Sequence, residues 1–167
     1  MKMKNNFYDT SSLLLRCDDL FNDDEHLFIS SVTLKELERI KTAANKDYNV
    51  KYNARQLLHA LHENSECVTY IIFQEYMLEP ITARSLDVSD DMRILASAYH
   101  LYDIIDKFYT NDLSLYTISK LFFPEDKLEM IKEIEDDYTG YVNVIMSEDE
   151  MSEFYSNLNS GIYNEKL

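Results

Sequence analysis

The stretch Phe7-Tyr8-Asp9-Thr10-Ser11-Ser12-Leu13-Leu14-Leu15 joins a strand signal to a helix signal within a few residues. The aromatic pair reads as the end of a short strand near Asp9. The hydroxyl residues that follow can accept from the free N–H groups at a helix start, and the leucines supply an apolar side. The same grammar recurs downstream. An acidic loop over residues 18–25 leads to a buried strand, His26-Leu27-Phe28-Ile29-Ser30. Thr33 opens the next helix, with Glu36 three residues on as a capping-box partner and Val32 with Leu37 as a hydrophobic staple. That helix carries Leu34, Leu37 and Ile40 at helical spacing and ends near Ala44 or Asn45.

A second helix covers residues 50–62, and Val68-Thr69-Tyr70-Ile71-Ile72-Phe73 is β-branched and aromatic, hence a strand. Residues 76–88 read as irregular around Pro80. Ser89 caps a helix with Asp90 and Asp91 in its first turn and apolar residues from Ile94 to Ile105 at helical spacing. Lys107-Phe108-Tyr109-Thr110 is a strand broken by Asn111-Asp112, and a helix through Leu115 and Ile118 stops at Pro124. A charged helix is expected over residues 126–137, a last strand over 142–145, and a capping box at Ser147 and Glu150. Alternating strands and helices predict an α/β fold: a three-layer α/β/α sandwich with a central, mainly parallel sheet. Residues 1–137 are read as its core, and residues 138–167 as a helical acidic C-terminal extension.

The 167 residues include only two glycines, which excludes phosphate-binding loops that need several close together. Two cysteines, Cys17 and Cys67, are too few for a disulfide framework. The basic start lacks the apolar run of a signal peptide, and no stretch approaches a membrane span. A soluble, cytoplasmic protein is expected. The net charge of −15 opposes nucleic acid on bulk electrostatics. The charge is uneven, however. Residues 35–55 hold Lys35, Arg39, Lys41, Lys46, Lys51 and Arg55 against Glu36, Glu38 and Asp47, whereas residues 125–167 hold twelve acids against three lysines. The basic strip is either a set of solvated helix faces or a local guide for a phosphate backbone.

In a parallel sheet, sites form beyond the carboxyl ends of the strands. Asp9 and Asp112 follow strands, Asp91 opens a helix from the same edge, and Glu36 lies one turn into the helix after the second strand. Four acids from four segments can therefore share one rim. Converged carboxylates repel unless a cation compensates, and Mg²⁺ or Mn²⁺ takes oxygen ligands of this kind. Each acid also has an ordinary role: Asp9 as a cap, Glu36 in its capping box, Asp91 against the helix dipole, Asp112 in a turn. His59, His62 and Cys67 fall short of a zinc set, which needs three or four ligands at known spacings.

Four segments in series resemble a PIN domain: Phe7-Tyr8-Asp9-Thr10-Ser11, Ile29-Ser30-Ser31-Val32-Thr33-Leu34-Lys35-Glu36-Leu37-Glu38, Asp91-Met92-Arg93-Ile94-Leu95-Ala96-Ser97-Ala98 and Tyr109-Thr110-Asn111-Asp112-Leu113-Ser114-Leu115. The resemblance implies a metal-dependent endoribonuclease acting on single-stranded RNA, with Mg²⁺ or Mn²⁺ at Asp9, Glu36, Asp91 and Asp112. Asp90 is a substitute for its neighbour. Thr10, Thr110 and Asn111 would shape the site or meet substrate, and Lys35, Arg39, Lys41 and Arg55 would guide the RNA backbone. Leu37-Glu38-Arg39-Ile40-Lys41, Tyr52-Asn53-Ala54-Arg55, Asp137-Tyr138-Thr139-Gly140-Tyr141 and Asn164-Glu165 look like the PIN domain that precedes PhoH-type ATPase domains, phage versions included. The alternative is a catalytically weak PIN module that binds RNA, a PhoH-type ATPase or another protein. Either reading leaves room for a homo-oligomer.

Overall fold

In the computed structural model, which describes residues 2–21 and 24–131, the aromatic pair Phe7-Tyr8 closes strand β1 (Lys4–Tyr8). The chain continues through α1 (Thr10–Arg16), β2 (Glu25–Ser30), α2 (Ser31–Thr42), α3 (Tyr48–Glu63), β3 (Val68–Ile71), α4 (Glu79–Ala83), α5 (Asp90–His100), β4 (Lys107–Thr110), α6 (Leu113–Ser119) and β5 (Leu128–Met130). Five strands form one sheet in the order β3-β2-β1-β4-β5, and every pairing is parallel. Phe7 lies in register with Phe28 on one side and Phe108 on the other.

Alternation along the strands separates two cores. Phe7 and Phe108 face a cluster with Ile81, Ile94, Leu95 and Leu115 from α4, α5 and α6. Tyr8, Leu27 and Ile29 face Leu13, Leu37, Ala54, Leu57 and Leu61 from α1, α2 and α3. The sheet is thus covered on both faces, the three-layer α/β/α arrangement expected from the sequence. Phe7, Tyr8, Leu37 and Phe108 are fully buried, each stabilising the fold by roughly 1.5–3 kcal/mol relative to exposure.

Parallel strands need crossovers. From β1 the chain steps outward to β2 and β3, then returns across the sheet to β4 and β5. The direction of winding reverses between β1 and β4, so a crevice opens at their carboxyl ends. Asp9 and Asp112 are the residues that follow there.

Several local expectations are corrected. Asp9 itself caps α1, accepting from the Ser12 N–H at 2.8 Å. Ser30, the last residue of β2, caps α2 by accepting from the Val32 N–H at 3.1 Å. The helix therefore starts two residues before Thr33 and stops at Thr42, and no Thr33–Glu36 capping box forms. A strand that ends on a hydroxyl residue needs no connecting loop. Residues 76–88 are not all irregular: a 3-10 turn (Glu75–Leu78) leads into α4, with Pro80 in its first turn, where a missing N–H costs nothing. The helix expected from Asp126 is instead, as far as Ile131, a 3-10 turn (Glu125–Lys127) and β5. Leu128 is buried and Glu129 exposed, a period of two that suits pairing with the edge of β4. The Ser89 cap and the strand at Lys107–Thr110 are as expected. The strand over 142–145, the capping box at Ser147 and the extension 138–167 lie outside the described residues. Among the described residues no helix is long and apolar enough to cross a membrane.

Candidate metal centre

Asp9 leaves β1 in extended conformation and is almost completely buried. Its carboxylate collects hydroxyl donors. Ser12 Oγ donates to Oδ1 at 2.7 Å, Ser11 Oγ lies 3.0 Å from both oxygens, and Thr110 Oγ1 donates to Oδ2 at 2.5 Å. Burial raises the pKa of this carboxyl, and the Thr110, Ser12 and Ser11 bonds pull it back down. The Asn111 N–H donates to Ser11 Oγ at 2.9 Å, and the Asp112 N–H donates to Thr110 Oγ1 at 3.0 Å. The turn after β4 is therefore tied to the turn after β1 through two hydroxyl groups. Asp112 in turn caps α6, accepting from the Leu115 N–H at 3.1 Å.

Glu36 points from the second turn of α2 toward Thr10, whose hydroxyl donates to it and also lies 3.1 Å from Thr33 Oγ1. Burial raises its pKa, the Thr10 bond opposes this, and the charge of Asp90 adds to the rise. Asp91 sits in the first turn of α5, which Ser89 caps at 3.2 Å. Burial pushes its pKa up from 3.8 to about 6, reinforced by the charges of Asp112, Glu36, Asp9 and Asp90. The carboxylates thus feel one another as a group.

Asp9, Glu36, Asp91 and Asp112 line a single cleft of about 560 Å³, together with Thr10 and Arg39. Lys46, Ser11, Leu14 and Ile40 complete much of the wall. Other anticipated residues are placed elsewhere. Lys35 faces a neighbouring cleft. Lys41 pairs with Glu38 at 3.2 Å, and the Arg55 guanidinium lies 5.8 Å over the Tyr48 ring. Thr110 is fully buried, so it serves Asp9 and the Asp112 N–H rather than presenting itself to solvent. Asn111 is half-buried and acts through its backbone. Asp90 is held by Arg93 at 2.9 Å and Arg39 at 3.7 Å, and lines the neighbouring cleft.

Sequence reasoning missed Ser11, Ser12 and Lys46 as parts of the site. Their signal was adjacency alone: hydroxyls after a strand-ending acid, and a lysine in the loop after a helix. It also missed a buried cluster that anchors α1. Glu25 accepts from Tyr8 Oη at 2.9 Å and from Asn6 Nδ2 at 2.5 Å, and lies 3.0 Å from the Arg16 guanidinium. Arg16, in the last turn of α1, therefore fixes that helix on the sheet and, with it, the hydroxyls around Asp9.

The donor set is all oxygen and mostly anionic, the kind that hard divalent ions accept. Among the described residues no three acidic, histidine or cysteine side chains are drawn together tightly enough to enclose an ion as they stand. At Asp9, both oxygens already accept from hydroxyls. An ion in this cleft would be met partly through water, as Mg²⁺ commonly is.

A family model described as a PIN domain matches residues 7–119. The crystal structure of VapBC2 from Rickettsia felis bound to a DNA fragment from their promoter is a structural neighbour at 15% identity and TM-score 0.49, covering 77% of this chain and 99% of that one. No curated protein matches the sequence.

Proposed function

Because the chain belongs to the PIN domain family, whose members are generally metal-dependent nucleases, we propose that it is a divalent-metal-dependent endoribonuclease cleaving single-stranded RNA in the Asp9–Glu36–Asp91–Asp112 cleft. The observation that carries this reading is that four carboxylates from four separate segments line one opening, with the pKa of Asp91 raised in part by the other three. Buried like charges are costly to keep together, and a shared cation offsets that cost.

Asp9, Asp91, Asp112 and Glu36 would hold Mg²⁺ or Mn²⁺, directly or through water. When bound, such an ion lowers the pKa of a water and offsets charge on a phosphoryl oxygen. The remaining work belongs to the chain. Ser11, Ser12 and Thr110 orient the Asp9 carboxylate, and Thr10 orients Glu36. The raised pKa of Asp91 belongs to the metal-free cleft, and a bound cation would favour its ionised form. Arg39 and Lys46 give an approaching phosphodiester a local attraction that the global charge denies it.

The test is cleavage of a labelled single-stranded RNA in Mn²⁺ by Asp9→Asn and Asp112→Asn proteins. Asn retains the capping function of both residues, so circular dichroism should be unchanged. Activity is expected to fall by more than about a hundredfold, beyond the loss typical of outer-shell partners. Cleavage persisting in both variants at the wild-type rate would remove the site.

The hydrogen-bonded saturation of Asp9 favours a second reading, a catalytically weak PIN module that binds RNA or a protein such as a PhoH-type ATPase. RNA binding that is equally tight in chelator and in Mn²⁺, with no cleavage by the wild type, would select it.

A further inference from the structure

Lys35 and Glu36 are sequence neighbours on α2, and Asp90 and Asp91 are neighbours on α5, yet each pair is divided between two openings. Glu36 and Asp91 line the acid cleft. Lys35 and Asp90 line a second cleft of about 410 Å³, with Ser31, Phe73, Glu75 and Arg93. The helices α2 and α5 pack together, so this stretch of both is the wall that the clefts share.

The chemistry on the two sides of the wall differs. The first cleft is dominated by carboxylates. In the second, the Asp90 carboxylate lies between two guanidiniums, Arg93 at 2.9 Å and Arg39 at 3.7 Å, the latter reaching over from the acid cleft. Arg39 is shared, since its charge also acts on Glu36 in the acid cleft. Lys35 is exposed and, among the described residues, makes no ion pair. The charges lining this cleft balance, Lys35 and Arg93 against Asp90 and Glu75, so the cation left without a close anion is Lys35. Phe73 is half-buried, packed against the core cluster that includes Ile94 and Leu95, and lines the cleft with the part of its surface left open. Cations beside an aromatic surface are what a nucleotide needs: the phosphate meets charge, and a base, whatever its identity, meets a ring.

We infer that the second cleft seats the nucleotide adjacent to the one attacked, with Lys35 and Arg93 on its phosphate and Phe73 beside its base. This rests on the nuclease reading above and deepens it: the substrate is recognised as a strand spanning two clefts, not as an isolated phosphodiester. Arg39, reaching between the clefts, marks the path of the backbone.

The experiment is fluorescence anisotropy of a labelled single-stranded RNA decamer, with Ca²⁺ in place of Mg²⁺, paired with steady-state cleavage of the same RNA in Mn²⁺. Lys35→Gln is expected to weaken binding at least fivefold, to lower the slope of affinity against salt, and to raise KM with kcat retained. Lys35→Arg should restore all three. Lys107→Gln, at the amino end of β4 and so on the opposite rim of the sheet, removes the same charge and should change affinity by less than twofold. Unaltered affinity and KM in Lys35→Gln would overturn the proposal while leaving the nuclease reading intact, as would equal weakening by Lys107→Gln. A wild type that binds in the expected Lys35-dependent way but does not cleave would instead remove the nuclease reading and keep the second cleft. A wild type that does not bind the decamer overturns the proposal.

Discussion

Asp91 is the carboxyl most exposed to the consequences of convergence, with its pKa pushed up from 3.8 to about 6 by burial and by Asp112, Glu36, Asp9 and Asp90. A raised carboxyl binds its proton more tightly in the folded than in the unfolded chain. Folding stability contributed by this group is therefore present at pH 4 and is lost as pH rises toward and through 6. Asp91→Asn should accordingly stabilise the metal-free protein at pH 7.5 and leave it unchanged near pH 4. The shift sets a ceiling of roughly 3 kcal/mol, and solvent screening of a partly exposed carboxylate brings the expected gain to about 1 kcal/mol. Urea unfolding at the two pH values measures it, and a variant no more stable than wild type at pH 7.5 would show that the carboxylates do not repel. Thr110 is the counterpart on the neutral side. Its buried hydroxyl donates to Asp9 and accepts from the Asp112 N–H. Thr110→Val keeps the shape but strips both bonds, and should cost about 1–3 kcal/mol. Thr110→Ser should recover most of that loss in the same unfolding assay.

At the scale of elements, helix starts are the sharpest test of what local sequence specifies. Ser30 Oγ caps α2 and also lies 3.1 Å from Ser97 Oγ on α5, so Ser30→Ala should cost about 1–2 kcal/mol. Its effect on the unfolding midpoint should exceed that of Ser89→Ala, whose hydroxyl caps α5 by accepting from the Met92 N–H. Equal losses would mean that the tie to Ser97 contributes nothing. Sequence reading placed this start at Thr33 because a Thr followed three residues later by Glu fits a capping box. It could not see that Thr10, distant in sequence, would claim Glu36 instead. Ser89 was legible because two acids and then a helical apolar period follow it. β5 was not, since its short Leu-Glu-Met run is set by the pairing edge of β4 rather than by its own pattern. The candidate site divides the same way. Asp9 and Asp112 were legible as acids at strand-to-helix junctions, and Asp91 as an acid in the first turn of a helix. The separation of Lys35 from Glu36 was not, because neighbouring residues on a helix point about 100° apart, and which cleft each meets depends on where α5 packs.

For the whole molecule, the winding of a parallel sheet outward from β1 in both directions puts a crevice between β1 and β4, and the acids gather there in a chain whose net charge is already −15. Two electrostatic effects then compete when a divalent ion is added. Any salt relieves the general self-repulsion by screening, whereas a bound ion stabilises the folded state by mass action, by about 2.7 kcal/mol at a hundred times its Kd. They separate by pH and by ionic strength. Binding needs Asp91 ionised, so Mg²⁺ or Mn²⁺ should raise the melting temperature more at pH 7.5 than at pH 5, where a carboxyl titrating near 6 is mostly protonated. Screening by NaCl at matched ionic strength should give the smaller rise at pH 7.5, and chelator should reverse only the excess due to the divalent ion. In Asp9→Asn and Asp112→Asn proteins that excess should shrink while the NaCl effect persists. A divalent rise equal to that of matched NaCl would mean that the cleft gathers charge without collecting an ion, and the conserved part of the effect would then belong to the surface as a whole.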